Sequence, residues 1–132
     1  GSIRPDNFEK PWVIDRLASY GDKLIFEEYA VEIRRADGLL TNTVADIVKI
    51  DVEGAEMDVL MAMEDLVSLS RPIFMIENSD WENVTAWLNK REYICYQYLQ
   101  EENLLVPMKE ACTNSIYLPI DYSGSMAAII SR

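Results

Sequence analysis

A short run at residues 45–54 constrains the fold of this chain more than any other feature. It reads Ala-Asp-Ile-Val-Lys-Ile-Asp-Val-Glu-Gly, and its β-branched residues and sharp bounds are typical of a strand buried on both faces. Apolar residues then recur at helical spacing over 59–67, and Pro72 prevents that helix from continuing. A second apolar run, residues 72–76, follows directly. This order predicts two parallel strands joined by a helix in a right-handed crossover.

The rest of the chain predicts further elements around this unit. In chain order they are a short helix at 12–20, a strand at 24–33, a turn at 36–38, a helix that begins at a capping box of Ser79 and Glu82 and continues through Leu88, a hairpin of strands 93–99 and 104–106, and a last strand at 116–120. The fold class is therefore α/β, with parallel strands, crossover helices and an antiparallel hairpin and strand towards the C-terminus.

The length of 132 residues and a hydrophobic content of 49% predict one domain with its own core. Within residues 1–132 we expect a lead-in segment at 1–23 that contains the short helix, and a tail at 121–132. Three or four strands form a narrow sheet for an independent doubly wound domain.

The charge excludes several classes of partner. Twelve Lys and Arg against 23 Asp and Glu give a net charge of −11, which repels phosphate backbones and argues against nucleic acids and anionic membranes. The sequence contains no run of 18 apolar residues, so it predicts no membrane-spanning segment. The chain has no histidine, which excludes Ser-His-Asp and Cys-His nucleophile systems and His-ligated metal sites. The two cysteines, Cys95 and Cys112, are interpreted as reduced thiols, which favours the cytoplasm.

Acidic side chains stand where both predicted parallel strands end. Asp51 and Glu53 close the first strand, and Glu77 and Asn78 close the second. Ligands of open parallel sheets bind at the carboxyl ends of the strands. If the two strands are neighbours, about 5 Å apart, their three carboxylates are expected to lie together at that edge. Because an unpaired Lys is costly to bury inside a strand, Lys49 is expected to pair with Asp51 or Glu77.

Three interpretations of these acids remain open at this point. One carboxylate could take a proton from a substrate hydroxyl, as a general base does. Asp51, Glu53 and Glu77 together could bind a divalent cation through their oxygens. Acids at the start of the following helix, Glu53 and Glu56, could instead simply complement the helix dipole.

Residues 46–56, Asp-Ile-Val-Lys-Ile-Asp-Val-Glu-Gly-Ala-Glu, closely resemble the signature of the FkbM family of S-adenosylmethionine-dependent methyltransferases. Residues 31–33 and 36–40 resemble the segment that leads into the signature. Segments at 71–77 and 114–119 and the tyrosine Tyr93 resemble later strands in the family's order, so the resemblance spans about residues 28–120. It implies a partial class I (Rossmann-like) methyltransferase sheet and methyl transfer to a hydroxyl of a small molecule or glycan. By position, it implies that Asp51, Glu53 and Glu77 lie on the substrate side of the cleft. Because Lys49 and Asn78 stand next to these acids in the sequence, we expect them on the same side.

The cofactor half of that family pattern is missing from this chain. The family binds S-adenosylmethionine at a glycine-rich turn, but the five glycines of this sequence form no G-x-G pattern. We therefore expect the chain to be the C-terminal, substrate-side half of a methyltransferase domain, which another segment or a partner chain completes. The alternative is a non-catalytic interaction or assembly module, a possible homo-oligomer, that keeps the fold.

Overall fold

A computed structural model describes residues 11–20, 30, 32 and 34–130 of the chain. The chain divides into two compact units, residues 1–33 and 34–132. The described part of the first unit contains helix α1 (Pro11–Ala18), which confirms the predicted short helix. The strand predicted at 24–33 falls almost entirely outside the described residues.

The second unit carries the sheet and the remaining described helices. Its elements are α2 (Ala36–Leu39), β1 (Ile47–Ile50), α3 (Glu56–Met61), α4 (Glu64–Ser70), β2 (Ile73–Glu77), α5 (Trp81–Asn89), β3 (Tyr93–Leu99), β4 (Leu104–Pro107), β5 (Asn114–Pro119) and a 3₁₀ helix (Ser125–Ile129). None of the described helices is long and apolar enough to cross a membrane.

The five strands form one sheet in the order β1-β2-β5-β3-β4. β1 and β2 are parallel, with Ile50 beside Ile76, whereas β5 is antiparallel to both β2 and β3, and β3 and β4 form an antiparallel hairpin. Since β5 runs against both of its neighbours, β1, β2 and β3 all point the same way. Their carboxyl ends therefore lie at one edge of the sheet.

The fold is thus mixed α/β, and the prediction of a parallel sheet is only partly correct. The strand–helix–strand unit and the C-terminal hairpin and strand are confirmed. Parallel pairing is limited to β1 and β2, because β5 inserts in the antiparallel direction between β2 and β3.

The main core lies between one face of the sheet and helices α3, α4 and α5. Alternate strand residues such as Ile50, Phe74 and Ile76 pack there against Leu60 and Leu88, all of them buried. The tilted ring contact of Phe74 with Tyr93, with centroids 5.7 Å apart, extends this core across the sheet. Burial of such apolar side chains is the main source of stability for the layer.

A smaller core covers part of the opposite face. Leu105, Leu118 and Tyr96 pack there with Met126 and Ile129 of the 3₁₀ helix. The cover does not extend over all of β1 and β2: Ile47 is 57% exposed and Met75 is 44% exposed. The prediction that β1 is buried on both faces is therefore wrong, because Ile47 on its second face is exposed to solvent.

Local structure differs from the predictions in three places. The single helix expected over 59–67 is two helices, α3 and α4, separated at Ala62 and Met63. The turn expected at 36–38 is the short helix α2. The N-cap of α5 is Asp80, whose side chain accepts from the Asn83 amide, and not the predicted Ser79, which is engaged elsewhere.

We expect that shortening Ile50 to Val will lower the free energy of unfolding by about 0.5–1.5 kcal/mol, because the lost methylene leaves a void in the main core. Ile47→Val, on the same strand but on the exposed face, is the matched control and should change stability far less. Urea denaturation of both variants measures the difference. Equal losses would contradict the one-sided burial of β1.

Candidate functional site

The candidate site lies at the carboxyl edge of the parallel pair. Because Ile50 lies beside Ile76, the next residues, Asp51 and Glu77, occupy neighbouring positions at the ends of β1 and β2. Glu77 is also paired in register with Asn114 of β5, so β5 begins at the same edge. The structure therefore brings together the ends of the two strands that the sequence singled out.

Both acids belong to the face of the sheet opposite the main core. In β2, Phe74 and Ile76 point into that core, so Ile73, Met75 and Glu77 alternate to the other side. Glu77 is exposed, and the side chain of Asp51 is 41% exposed. Solvent, or a ligand that approaches this face, can therefore reach both carboxylates.

Lys49 pairs with Asp51, as the sequence predicts. Its Nζ donates to Oδ2 of Asp51 at 3.0 Å, and the lysine side chain is 64% exposed. The pairing is confirmed, but the reason offered for it is wrong, because Lys49 is not buried. An exposed ion pair of this kind contributes little to stability.

The backbone after β1 turns through two successive residues in the left-handed region. Glu53 has φ 51° and Gly54 has φ 98°. A Cβ added to Gly54 would meet no atom within 4 Å, so the glycine is required by its backbone angle and not by crowding. The Glu53 side chain is exposed at this turn.

Glu56 is a residue of this edge that the sequence analysis did not select. Its side chain is only 2% exposed, and Oε1 accepts hydrogen bonds from the Gly54 amide at 2.8 Å and from the Ser79 hydroxyl at 3.3 Å. An acid that only complements a helix dipole needs no such burial. The signature in the sequence includes Glu56, but no sequence signal identifies Ser79 as its partner.

Asn78 is fixed by three hydrogen bonds. Its backbone amide donates to the Thr113 carbonyl at 2.6 Å, and Nδ2 donates to the Ser115 hydroxyl at 2.8 Å and to the Ile76 carbonyl at 3.5 Å. Within the described part of the chain, its buried Oδ1 accepts no hydrogen bond.

A cavity of about 320 Å³ adjoins Asn78. Its other lining residues come from the start of α5 and from the segment before β5, and include Trp81 and Cys112. Asp51, Glu53 and Glu77 are not among the lining residues. The cavity and the pair of acids therefore occupy separate parts of this edge.

Both cysteines are free thiols near Ser115. Cys112 contacts the Ser115 hydroxyl at 3.1 Å, whereas Cys95 is 3% exposed. Burial raises the pKa of the Cys95 thiol, and hydrogen bonding to Ser115 offsets only part of that effect. Cys95 is therefore an inert core residue at neutral pH, while Cys112 is only half-buried.

The divalent-cation hypothesis has no matching geometry. No group of three or more Cys, Asp or Glu side chains among the described residues is arranged to bind a metal ion. Asp51, Glu53 and Glu77 thus do not form the oxygen-ligand set that this alternative requires.

A protein family described as the methyltransferase FkbM domain matches residues 5–95 of the chain. This range includes β1, β2, all of the turn between β1 and α3, and the beginning of β3. It starts earlier than the resemblance inferred at 28–120, and β5 lies beyond its end. Comparison with curated proteins and with solved structures finds no match.

Gly54→Ala should lower the free energy of unfolding by about 1–2 kcal/mol, because the new Cβ strains a left-handed residue. Gly38 in α2 is the matched control, since a Cβ there also meets nothing within 4 Å and no positive φ strains it. Gly38→Ala should be neutral or stabilising by up to about 1 kcal/mol. Thermal or urea unfolding of the two variants provides the measurement, and a loss of the same size at Gly38 would contradict the assignment.

Proposed function

The chain belongs to the FkbM methyltransferase family, and from this premise we propose that it provides the substrate side of an S-adenosylmethionine-dependent O-methyltransferase. The acceptor is a hydroxyl group of a small molecule or a glycan. The sheet of residues 34–130 is then one part of a class I, Rossmann-like methyltransferase domain, and the remainder of that domain completes it.

The observation that carries this proposal is the register of β1 and β2. It sets Asp51 and Glu77 at neighbouring positions on an exposed face, at the edge where parallel strands present ligand sites. Asp51 follows directly after β1 within the stretch that the family match covers, and Glu77 ends β2 within the same match.

The proposed chemistry of these acids is proton acceptance and hydrogen bonding. An alcohol is a weak nucleophile until its proton leaves, and a carboxylate within hydrogen-bond reach can take that proton. We assign this role to Asp51 or Glu77, and we assign Glu53 to hydrogen bonding with the acceptor molecule. Lys49 orients Asp51 through the 3.0 Å contact, and Asn78 directly follows Glu77 on the substrate side of this edge.

The described residues do not fit a binding site for S-adenosylmethionine. Such a site needs a loop in which the backbone approaches the cofactor closely, and glycines make that approach possible. Among the described residues, Gly54 is the one glycine with a positive φ, and the sequence holds no G-x-G pattern. We therefore place the cofactor site outside residues 34–130, in another segment or in a partner chain.

The proposal extends to partners and location. Because the chain has a net charge of −11, we take the acceptor molecule to be neutral or cationic. For the same reason we propose neither nucleic acid nor an anionic membrane as a partner. The free thiols of Cys95 and Cys112 support the cytoplasm as the place of action.

We expect Asp51→Asn or Glu77→Gln to lower methyl transfer on the order of 10²-fold to 10⁴-fold, which is the usual effect of a lost general base. The full-length gene product is assayed with methyl-labelled S-adenosylmethionine against a panel of methyl glycosides and small hydroxylated molecules. Asp46→Asn, an acid at the opposite end of β1, is the matched control and should retain activity.

Two outcomes would overturn the catalytic proposal. One is a full-length protein that neither binds S-adenosylmethionine nor methylates any member of the panel. The other is an active enzyme that tolerates both substitutions, with thermal unfolding used to confirm that all variants are folded.

One observation favours a second function, that of an assembly module. No described strand pairs with the outer edge of β1, and Ile47 on that strand is 57% exposed. Such an edge can pair with a second copy. Light scattering over a concentration series should then show a dimer that Ile47→Lys dissociates, whereas a monomer throughout the series contradicts this function.

A further inference from the structure

A single buried carboxylate connects the two loops that follow β1 and β2. Glu56, at the start of α3, is 2% exposed. Its Oε1 accepts hydrogen bonds from both the Gly54 amide and the Ser79 hydroxyl. Gly54 belongs to the loop after β1, and Ser79 belongs to the loop after β2. Buried carboxylates are rare in proteins unless their oxygens are satisfied by donors of this kind.

The loop on the β1 side has a conformation that requires external support. Glu53 at φ 51° is a non-glycine residue in the left-handed region, and Gly54 follows it at φ 98°. Such backbone persists only where surrounding contacts determine it, and it is enriched at functional sites. The hydrogen bond from the Gly54 amide to Glu56 supplies one such contact.

The loop on the β2 side is fixed at the same point. Ser79 does not cap α5, because that position belongs to Asp80. Its hydroxyl is free to donate to Glu56, 23 residues away in sequence. The adjoining Asn78 is already bonded to Thr113 and Ser115, so Glu56 joins the β1 loop to a segment that is itself well ordered.

We propose that Glu56 is a positioning residue, which sets the separation of the Asp51 and Glu77 carboxylates by tying the two loops together through Ser79. Asp51 is three residues before Gly54, and Glu77 is two residues before Ser79. A shift of either loop therefore moves one acid relative to the other. The catalytic consequence rests on the proposed function, whereas the connection between the loops does not.

The chemistry of the connection predicts how substitutions behave. One oxygen accepts both hydrogen bonds, so glutamine at this position can keep them through its amide oxygen. Alanine cannot, and it leaves the Gly54 amide and the Ser79 hydroxyl without their acceptor. Glu56→Gln should therefore rescue much of what Glu56→Ala loses.

The connection is tested first without any enzymatic assay. In this chain, Glu56→Ala and Ser79→Ala should each shift the side-chain carboxyl carbon resonances of Asp51 and Glu77. Glu56→Ala should also accelerate hydrogen exchange of the Gly54 amide by roughly tenfold, the equivalent of one ordinary hydrogen bond. Ser68→Ala, at an exposed position on α4, is the matched control for Ser79→Ala and should leave these signals unchanged.

The catalytic consequence is tested with the full-length gene product. Ser79→Ala should lower kcat with little change in KM, since it alters the placement of the acids and not the binding of the acceptor. A folded Glu56→Ala protein with unchanged Gly54 exchange and unchanged carboxyl resonances would overturn the connection. Shifted resonances together with an unchanged kcat would overturn the positioning role. A parent protein without methyl transfer would count against the proposed function alone, because the resonance experiment decides the connection independently.

Discussion

The parallel register of β1 and β2 is the constraint on which the candidate site depends. Four consecutive residue pairs, from Ile47 beside Ile73 to Ile50 beside Ile76, align the two strands. A slip of one residue would turn every side chain of a strand to the opposite face, which would expose Ile50 or Ile76. Burial of these residues against the helices therefore fixes where Asp51 and Glu77 stand.

The two faces of the sheet are covered to different extents. One face carries the main core beneath α3, α4 and α5, and it includes fully buried residues such as Leu60, Phe74 and Leu88. The other face is covered mainly over β3, β4 and β5, where the 3₁₀ helix packs. On this second face Ile73 of β2 is buried in the smaller core, whereas Met75, further along the same strand, is exposed.

Polar and aromatic contacts within the unit of residues 34–132 add to the hydrophobic core in holding its helices and strands together. Arg91 binds both oxygens of Glu64 and stacks on the Trp87 ring at 3.5 Å, which links α4 to α5. The buried Tyr117 hydroxyl meets Thr85 at 2.9 Å and connects β5 with α5. At the other edge of the sheet, Arg71 lies over the Tyr93 ring, and burial raises the pKa of that tyrosine to about 12. These contacts keep the helices in place above the strands whose ends carry the acids.

The sequence by itself determined the strand–helix–strand unit, the C-terminal hairpin, the membership of the FkbM family and the identity of the acids at the strand ends. These features are local, because they follow from periodicity, β-branched runs and a short signature. Only the tertiary structure decided that β5 inserts antiparallel between β2 and β3, that one face of β1 is exposed, and that Ser79 binds Glu56 instead of capping α5. Each of these depends on partners far apart in sequence, and no pattern along the chain specifies which distant groups will meet.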